Sequence, residues 1–76
     1  DPKVDDILKG RYEKANDKDE REALIHAFMI RDDIDTLLEL MRKEKDPELK
    51  TEILQALVHS DRPEVRELLF ELLERS

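Results

Sequence analysis

The chain has 76 residues, 46% of them charged, and a formal net charge of −7 from 14 Lys and Arg against 21 Asp and Glu. That length fits one domain, and the acidity disfavours a phosphate backbone as partner because no basic cluster offsets it. With no cysteine, disulfides, thiolate metal sites and Cys nucleophiles are excluded. No apolar run reaches the roughly 18 residues of a membrane span and nothing reads as a signal peptide, so a natural version is expected in a reducing, cytoplasmic setting. Leu, Ile, Val and Phe exceed a quarter of the residues, above the level that signals disorder. One Gly and three Pro leave little room for long loops, and no segment alternates as a strand does.

In chain order, Asp1-Pro2 is a cap followed by a first-turn proline, and it opens a helix predicted over about 2–15. Val4, Ile7, Leu8, Tyr12 and Ala15 share one face. Gly10 lies inside that pattern, costs about 1 kcal/mol of helix stability, and marks either a break or a close approach by another helix. The segment has no partner helix of its own and reads as a cap over one end of the helix stack. Asp17 and Glu20 are spaced as a capping box for a second helix over about 18–30. Its apolar set Ala23, Leu24, Ile25, Ala27, Phe28, Met29 and Ile30 covers most of the circumference, which predicts a helix buried at the centre of the core. The third helix, about 33–45, has Asp32 as expected cap, Asp33 and Asp35 in its first turn, and Arg42, Lys43 and Lys45 at its end, a polarity matched to the helix dipole.

Asp46 and Pro47 start the fourth helix, about 47–59. Leu49, Ile53, Ala56 and Leu57 form its face, widened by Leu54 and Val58. Asp61 is the next expected cap, with Glu64 as its reciprocal partner and Pro63 in the first turn of a fifth helix over about 63–75. Val65, Leu68, Leu69, Leu72 and Leu73 make its stripe. Phe70 departs from that stripe, so it either packs at an edge of the core or stands out as an anchor for a partner. Tyr12 is a weaker case of the same choice.

The second half echoes the first. Shifting by 29 residues lays Leu24 to Met29 under Ile53 to Val58, and shifting by 31 lays Ile34, Leu37, Leu38 and Met41 under Val65, Leu68, Leu69 and Leu72. Two helix pairs about 30 residues apart are the mark of a helical repeat. Asp46-Pro47-Glu48-Leu49-Lys50 with Ala56-Leu57, and the second-helix starts Asp32 to Leu40 and Asp61-Arg62-Pro63-Glu64-Val65, resemble short HEAT-like repeats of the phycobilisome-lyase type over roughly residues 17–76. The resemblance implies antiparallel helix pairs that present a surface to partner proteins. Such repeats carry Gly after the first helix, whereas Met29-Ile30-Arg31 and Val58-His59-Ser60 stand here, leaving both a regular stack and a more globular packing open.

The expected fold is therefore all-α: five short helices, forming two HEAT-like antiparallel hairpins and an N-terminal capping helix. It is one domain over 1–76, divided as 1–16, 17–45 and 46–76. The predicted core is Leu24, Ala27, Phe28, Leu37, Leu38, Met41, Ile53, Leu57, Leu68, Leu69 and Leu72.

Chemistry is hard to place on this frame. His26 and Glu22 share a helix face, but zinc needs a third ligand and none is in view. His59-Ser60-Asp61 holds the residue types of a hydrolase triad, yet neighbours at a helix end do not converge as a triad must. Asp17-x-Asp19 and Asp33-x-Asp35 lack the glycine of a calcium loop and read as helix caps. No Gly-rich phosphate loop exists. No catalytic, cofactor or metal residue is assigned, and no small-molecule, nucleic-acid or membrane partner is expected. Phe70 and Tyr12 are the candidate partner-binding residues, toward another protein or a second copy. Caps, first-turn prolines and dipole-matched charges favour a non-catalytic scaffold of engineered or designed origin with no ligand. The alternative is a protein-interaction module, which an apolar patch left exposed favours. An enzyme or enzyme accessory ranks last.

Overall fold

The computed structural model describes residues 2–75. They form α1 (Pro2–Lys14), α2 (Lys18–Ile30), α3 (Ile34–Lys43), α4 (Pro47–Leu57) and α5 (Pro63–Arg75), with no strand among the described residues. The chain is all-α, as expected. Asp1, the expected cap of α1, lies outside the described residues.

Side chains start the inner helices. Asp17 accepts the Asp19 amide at 3.0 Å, and Asp46 accepts the Glu48 and Leu49 amides at 2.8 and 3.4 Å, with Pro47 at the position where no amide is needed. Two expected caps move by one residue. Asp33, not Asp32, caps α3, accepting the Thr36 amide at 3.3 Å and the Thr36 hydroxyl at 2.7 Å. Asp32 has φ 55° and ends α2 instead. Its amide donates to the Met29 carbonyl and the Asp33 amide to the Phe28 carbonyl, both at 3.0 Å, which is the Schellman pattern that usually takes Gly. Asp stands in for the missing glycine because its short polar side chain tolerates the left-handed region. At the α4–α5 turn the Ser60 hydroxyl accepts the Arg62 amide at 3.2 Å, and α5 begins directly after Arg62, so the expected Asp61–Glu64 box is replaced. Helix α3 stops at Lys43, two residues earlier than predicted, because Glu44 turns extended (φ −71°, ψ 135°).

Polar ties fix how the helices run. Lys18 at the start of α2 meets Asp46 and Glu48 at the start of α4, at 3.2 and 3.1 Å, and His26 faces Glu52 at 3.6 Å. These pairs advance together along the two helices, so α2 and α4 are parallel. Lys9 pairs with Glu39, Glu13 lies 3.9 Å from Lys43, and Tyr12 donates to Glu44, so α1 is parallel to α3. Arg62 reaches Asp35 at 2.8 Å, setting the start of α5 beside the start of α3. Helix α2 packs on α1, α3 and α4, and α3 packs on α4. One layer thus holds α1, α3 and α5, and the other holds α2 and α4. The Cα extents, 33 × 26 × 16 Å, agree. Two helix layers about 10 Å apart, each of about 2.3 Å Cα radius, give a thickness near 15 Å.

The core lies between the layers. Ile25, Phe28, Leu37, Leu40, Leu49, Ile53, Leu57 and Val65 are fully buried. Of the predicted core, Leu24, Phe28, Leu37, Leu38, Met41, Ile53, Leu57 and Leu68 are buried, whereas Ala27, Leu69 and Leu72 are only partly covered. Two expectations fail. Helix α2 is not buried all round: Ala23 is exposed, and so are Met29 and Ile30, the latter 80%. Ala23 and Ile30, seven positions apart, share the face of α2 that points away from buried Leu24, Ile25 and Phe28, and Met29 lies at its flank. Leu73 is also outside, at 70%, because the inner face of α5 is complete with Val65, Leu68 and Leu72.

Candidate functional site

Two places on this frame hold unusual side chains: a buried polar cluster between α1 and the α3–α4 turn, and the outer face of α5.

The cluster forms around Glu44, the one buried charged side chain among the described residues. Once α3 ends, its carboxylate folds back under α1. Oε1 accepts the Tyr12 hydroxyl and lies 3.4 Å from an Arg21 guanidinium nitrogen. Oε2 accepts the Lys45 and Asp46 amides at 3.0 and 3.1 Å. The Arg21 guanidinium stacks over the Tyr12 ring, 5.1 Å from its centroid. Burial works to raise the Glu44 pKa, but the Tyr12 hydroxyl, the two amides and the Arg21 charge outweigh it and hold the carboxyl below the usual glutamate range. Burial, then the bond to ionised Glu44, pushes the Tyr12 phenol well above its ordinary value. A surface hollow lined by Tyr12, Glu13, Arg21, Leu40, Lys43, Glu44 and Lys45 opens beside the group.

This constellation is the nearest thing to an active site among the described residues. Its chemistry points the other way. A general base needs a free lone pair and a pKa near the working pH. Both Glu44 oxygens are engaged, and its pKa moves down. The cluster is a strut that locks α1 onto the α3–α4 turn. Tyr12, a candidate anchor from sequence, is 4% exposed and belongs to this strut. Sequence reasoning missed Glu44 altogether. The one local sign is that it is an acid at the C-terminal end of a helix, where the dipole favours cations; its partners are not visible from that sign.

The other sequence candidates do not gather. His26 is 59% exposed and faces Glu52 of α4 rather than acting with Glu22. His59 is exposed in the α4–α5 turn, and the Ser60 hydroxyl is engaged with the Arg62 amide. No group of three or more His, Asp or Glu side chains suited to a metal ion occurs among the described residues. No described helix is long and apolar enough to cross a membrane.

The outer face of α5 is different in kind. Arg66, Leu69, Phe70 and Leu73 fall at i, i+3, i+4 and i+7 and line one shallow surface hollow. Phe70 is 65% exposed and Leu69 is partly so. The structure therefore places Phe70 outside the core, the second of its two sequence expectations. A second apolar stripe runs along a helix whose first stripe, Val65, Leu68 and Leu72, already serves the fold. Glu67, Glu71 and Glu74 edge the second stripe and are all exposed. Compared with protein-family models, curated proteins and solved structures, the chain has no match.

Proposed function

We propose that this chain is a non-catalytic helical scaffold that works by protein–protein contact through the outer face of α5. The observation that carries the reading is the outer stripe of α5: Phe70 and Leu73 are exposed and stand outside the core, contiguous with Leu69, which is partly buried against it. Isolated exposed apolar residues need no explanation, but a helical stripe with an acidic edge has the make-up of a docking surface. A HEAT-like origin is supported by the way α4 and α5 restate α2 and α3, in sequence register and in position within the layers. A photo-crosslinking residue at position 70 tests the reading, with position 50, exposed on α4 and polar, as control. Discrete protein adducts at 70 and none at 50 are expected. No discrete adduct at 70 returns the chain to a scaffold without a partner.

A second reading, a designed scaffold with no ligand, is favoured by the aspartate caps at α2, α3 and α4 and the prolines that open α4 and α5. Its check is a thermal melt: reversible unfolding above about 90 °C favours it, and a midpoint of about 45–65 °C does not.

A further inference from the structure

The opposite end of the slab carries a face that answers the one on α5. On α1, Asp5, Leu8, Lys9 and Tyr12 turn inward, to Arg31, the core, Glu39 and Glu44. The reverse side of the helix presents Ile7, Gly10, Arg11 and Lys14, with Val4 at its margin. Ile7 is 64% exposed, and Arg11 and Lys14 are exposed beside it. This face is apolar at its centre, basic on the flank of Arg11 and Lys14, and acidic beyond Gly10, where Asp6 and Glu13 are exposed. The face on α5 is apolar along Leu69, Phe70 and Leu73, carries Arg66 at its start, and is acidic along one flank with Glu67, Glu71 and Glu74.

Gly10 is the second observation. A Cβ built there meets nothing within 4 Å, so nothing inside the folded chain requires a glycine. Its φ is not positive, so the backbone does not require one either. A mid-helix glycine that costs about 1 kcal/mol and has no internal cause lies on the open side of α1. A missing side chain on an outward helix face is what a second helix needs to approach closely.

We infer that the partner of the α5 face is the α1 face of a second copy of this chain, joined head to tail. The inference rests on the interaction reading above and names its occupant. Phe70 and Leu73 of one copy pack over Ile7 and Gly10 of the next, while Glu67, Glu71 and Glu74 meet Arg11 and Lys14. The two faces lie at opposite ends of the α1–α3–α5 layer, so the contact is heterologous and does not close on itself as a two-fold dimer does. One helix laid on one helix buries less than the roughly 1,200 Å² typical of a stable interface, so the assembly is weak, concentration-dependent and salt-sensitive.

Sedimentation velocity from micromolar to millimolar chain, at low and high salt, tests this. The expected result is a mean mass that climbs past the dimer as concentration rises and falls back in salt. Arg11→Glu with Lys14→Glu, and separately Glu67→Lys with Glu71→Lys, are each expected to give monomers at concentrations where the wild type assembles. Mixing the two variants restores assembly. All four positions are exposed, and circular dichroism of each variant checks that its fold is kept. A wild type monomeric throughout overturns the inference. So does a closed dimer that ignores reversal of the α1 charges but is lost in Phe70→Glu; that result keeps the α5 face as an interaction surface. An assembly unchanged by Phe70→Glu overturns both.

Discussion

Helices α1 and α5 lie on the two sides of α3, yet they are attached by opposite means. Helix α5 is held by apolar side chains, Val65 and Leu68 buried and Leu69 and Leu72 partly so, with one ion pair from Arg62 to Asp35. Helix α1 contributes Tyr12 and part of Leu8 to the interior, with Ala15 just past its end, and takes the rest of its hold from polar ties: Arg31 to Asp5 at 2.6 Å, Lys9 to Glu39, and Tyr12 to Glu44. Apolar burial is not weakened by charge screening or by pH near neutrality, whereas exposed ion pairs are screened and hydrogen-bonded carboxylates titrate. The two ends should therefore come apart under different conditions, and substitutions at each end separate them.

The largest effect is expected at their common support. Phe28 is fully buried on α2, the helix that packs on α1, α3 and α4. Phe28→Ala should cost about 3–5 kcal/mol and loosen both ends at once. Urea unfolding reads it, and a loss below about 1 kcal/mol would place the centre of the core elsewhere.

Next comes the apolar end alone. Leu68→Ala should cost about 2–3 kcal/mol, at the low end for buried leucine because the site is peripheral. Leu73→Ala, one helix face away and exposed, should change stability by no more than about 0.5 kcal/mol. Equal losses at 68 and 73 would mean that the outer stripe of α5 serves the fold after all.

The polar end is tested by Tyr12→Phe, which keeps the ring and removes the hydroxyl from a buried carboxylate. With the Lys45 and Asp46 amides and Arg21 still in place, the expected cost is about 1–2 kcal/mol. The pH dependence carries the signature. The Tyr12 pKa is raised on folding, so its contribution is full below the ordinary value near 10.0 and is lost as the pH climbs beyond it. The Glu44 pKa is lowered, so its contribution is full above the ordinary 4.5 and is lost as the pH falls below it. Stability measured across pH should drop more steeply above pH 10 in the wild type than in Tyr12→Phe. Since the chain has one tyrosine, phenolate absorption reports its ionisation without overlap. Ionisation at the ordinary pKa in the folded protein would dissolve the strut.

What the sequence made legible is local. Aspartate before proline or a charged first turn placed the starts of α2 and α4 within a residue, because a cap acts across three or four positions. The stripes of α4 and the inner stripe of α5 were legible for the same reason of short range. Relations between distant residues were not. Tyr12 and Glu44 are 32 positions apart, so neither residue alone announces the strut. Met29 and Ile30 looked buried because their helix is apolar all round, but exposure there depends on which faces of α2 the distant helices cover. Phe70 was visible as off-pattern, but which of its two fates applied depended on whether the inner face of α5 was already filled.

The smallest effect returns to α1 and has the opposite sign. Gly10→Ala adds a methyl group into open space in the middle of a helix. It should raise stability by about 0.5–1 kcal/mol, through better helix propensity and a less free unfolded chain. In a domain of this size that shifts the melting midpoint upward by about 4–8 °C per kcal/mol. The same methyl group occupies the gap that a second copy needs. Gly10→Ala should thus melt later as a dilute monomer yet assemble less at high concentration, a pairing of gain and loss that the exposed end of α5 has no residue to mimic. A variant that gains in both would show that the glycine serves neither the fold nor the contact.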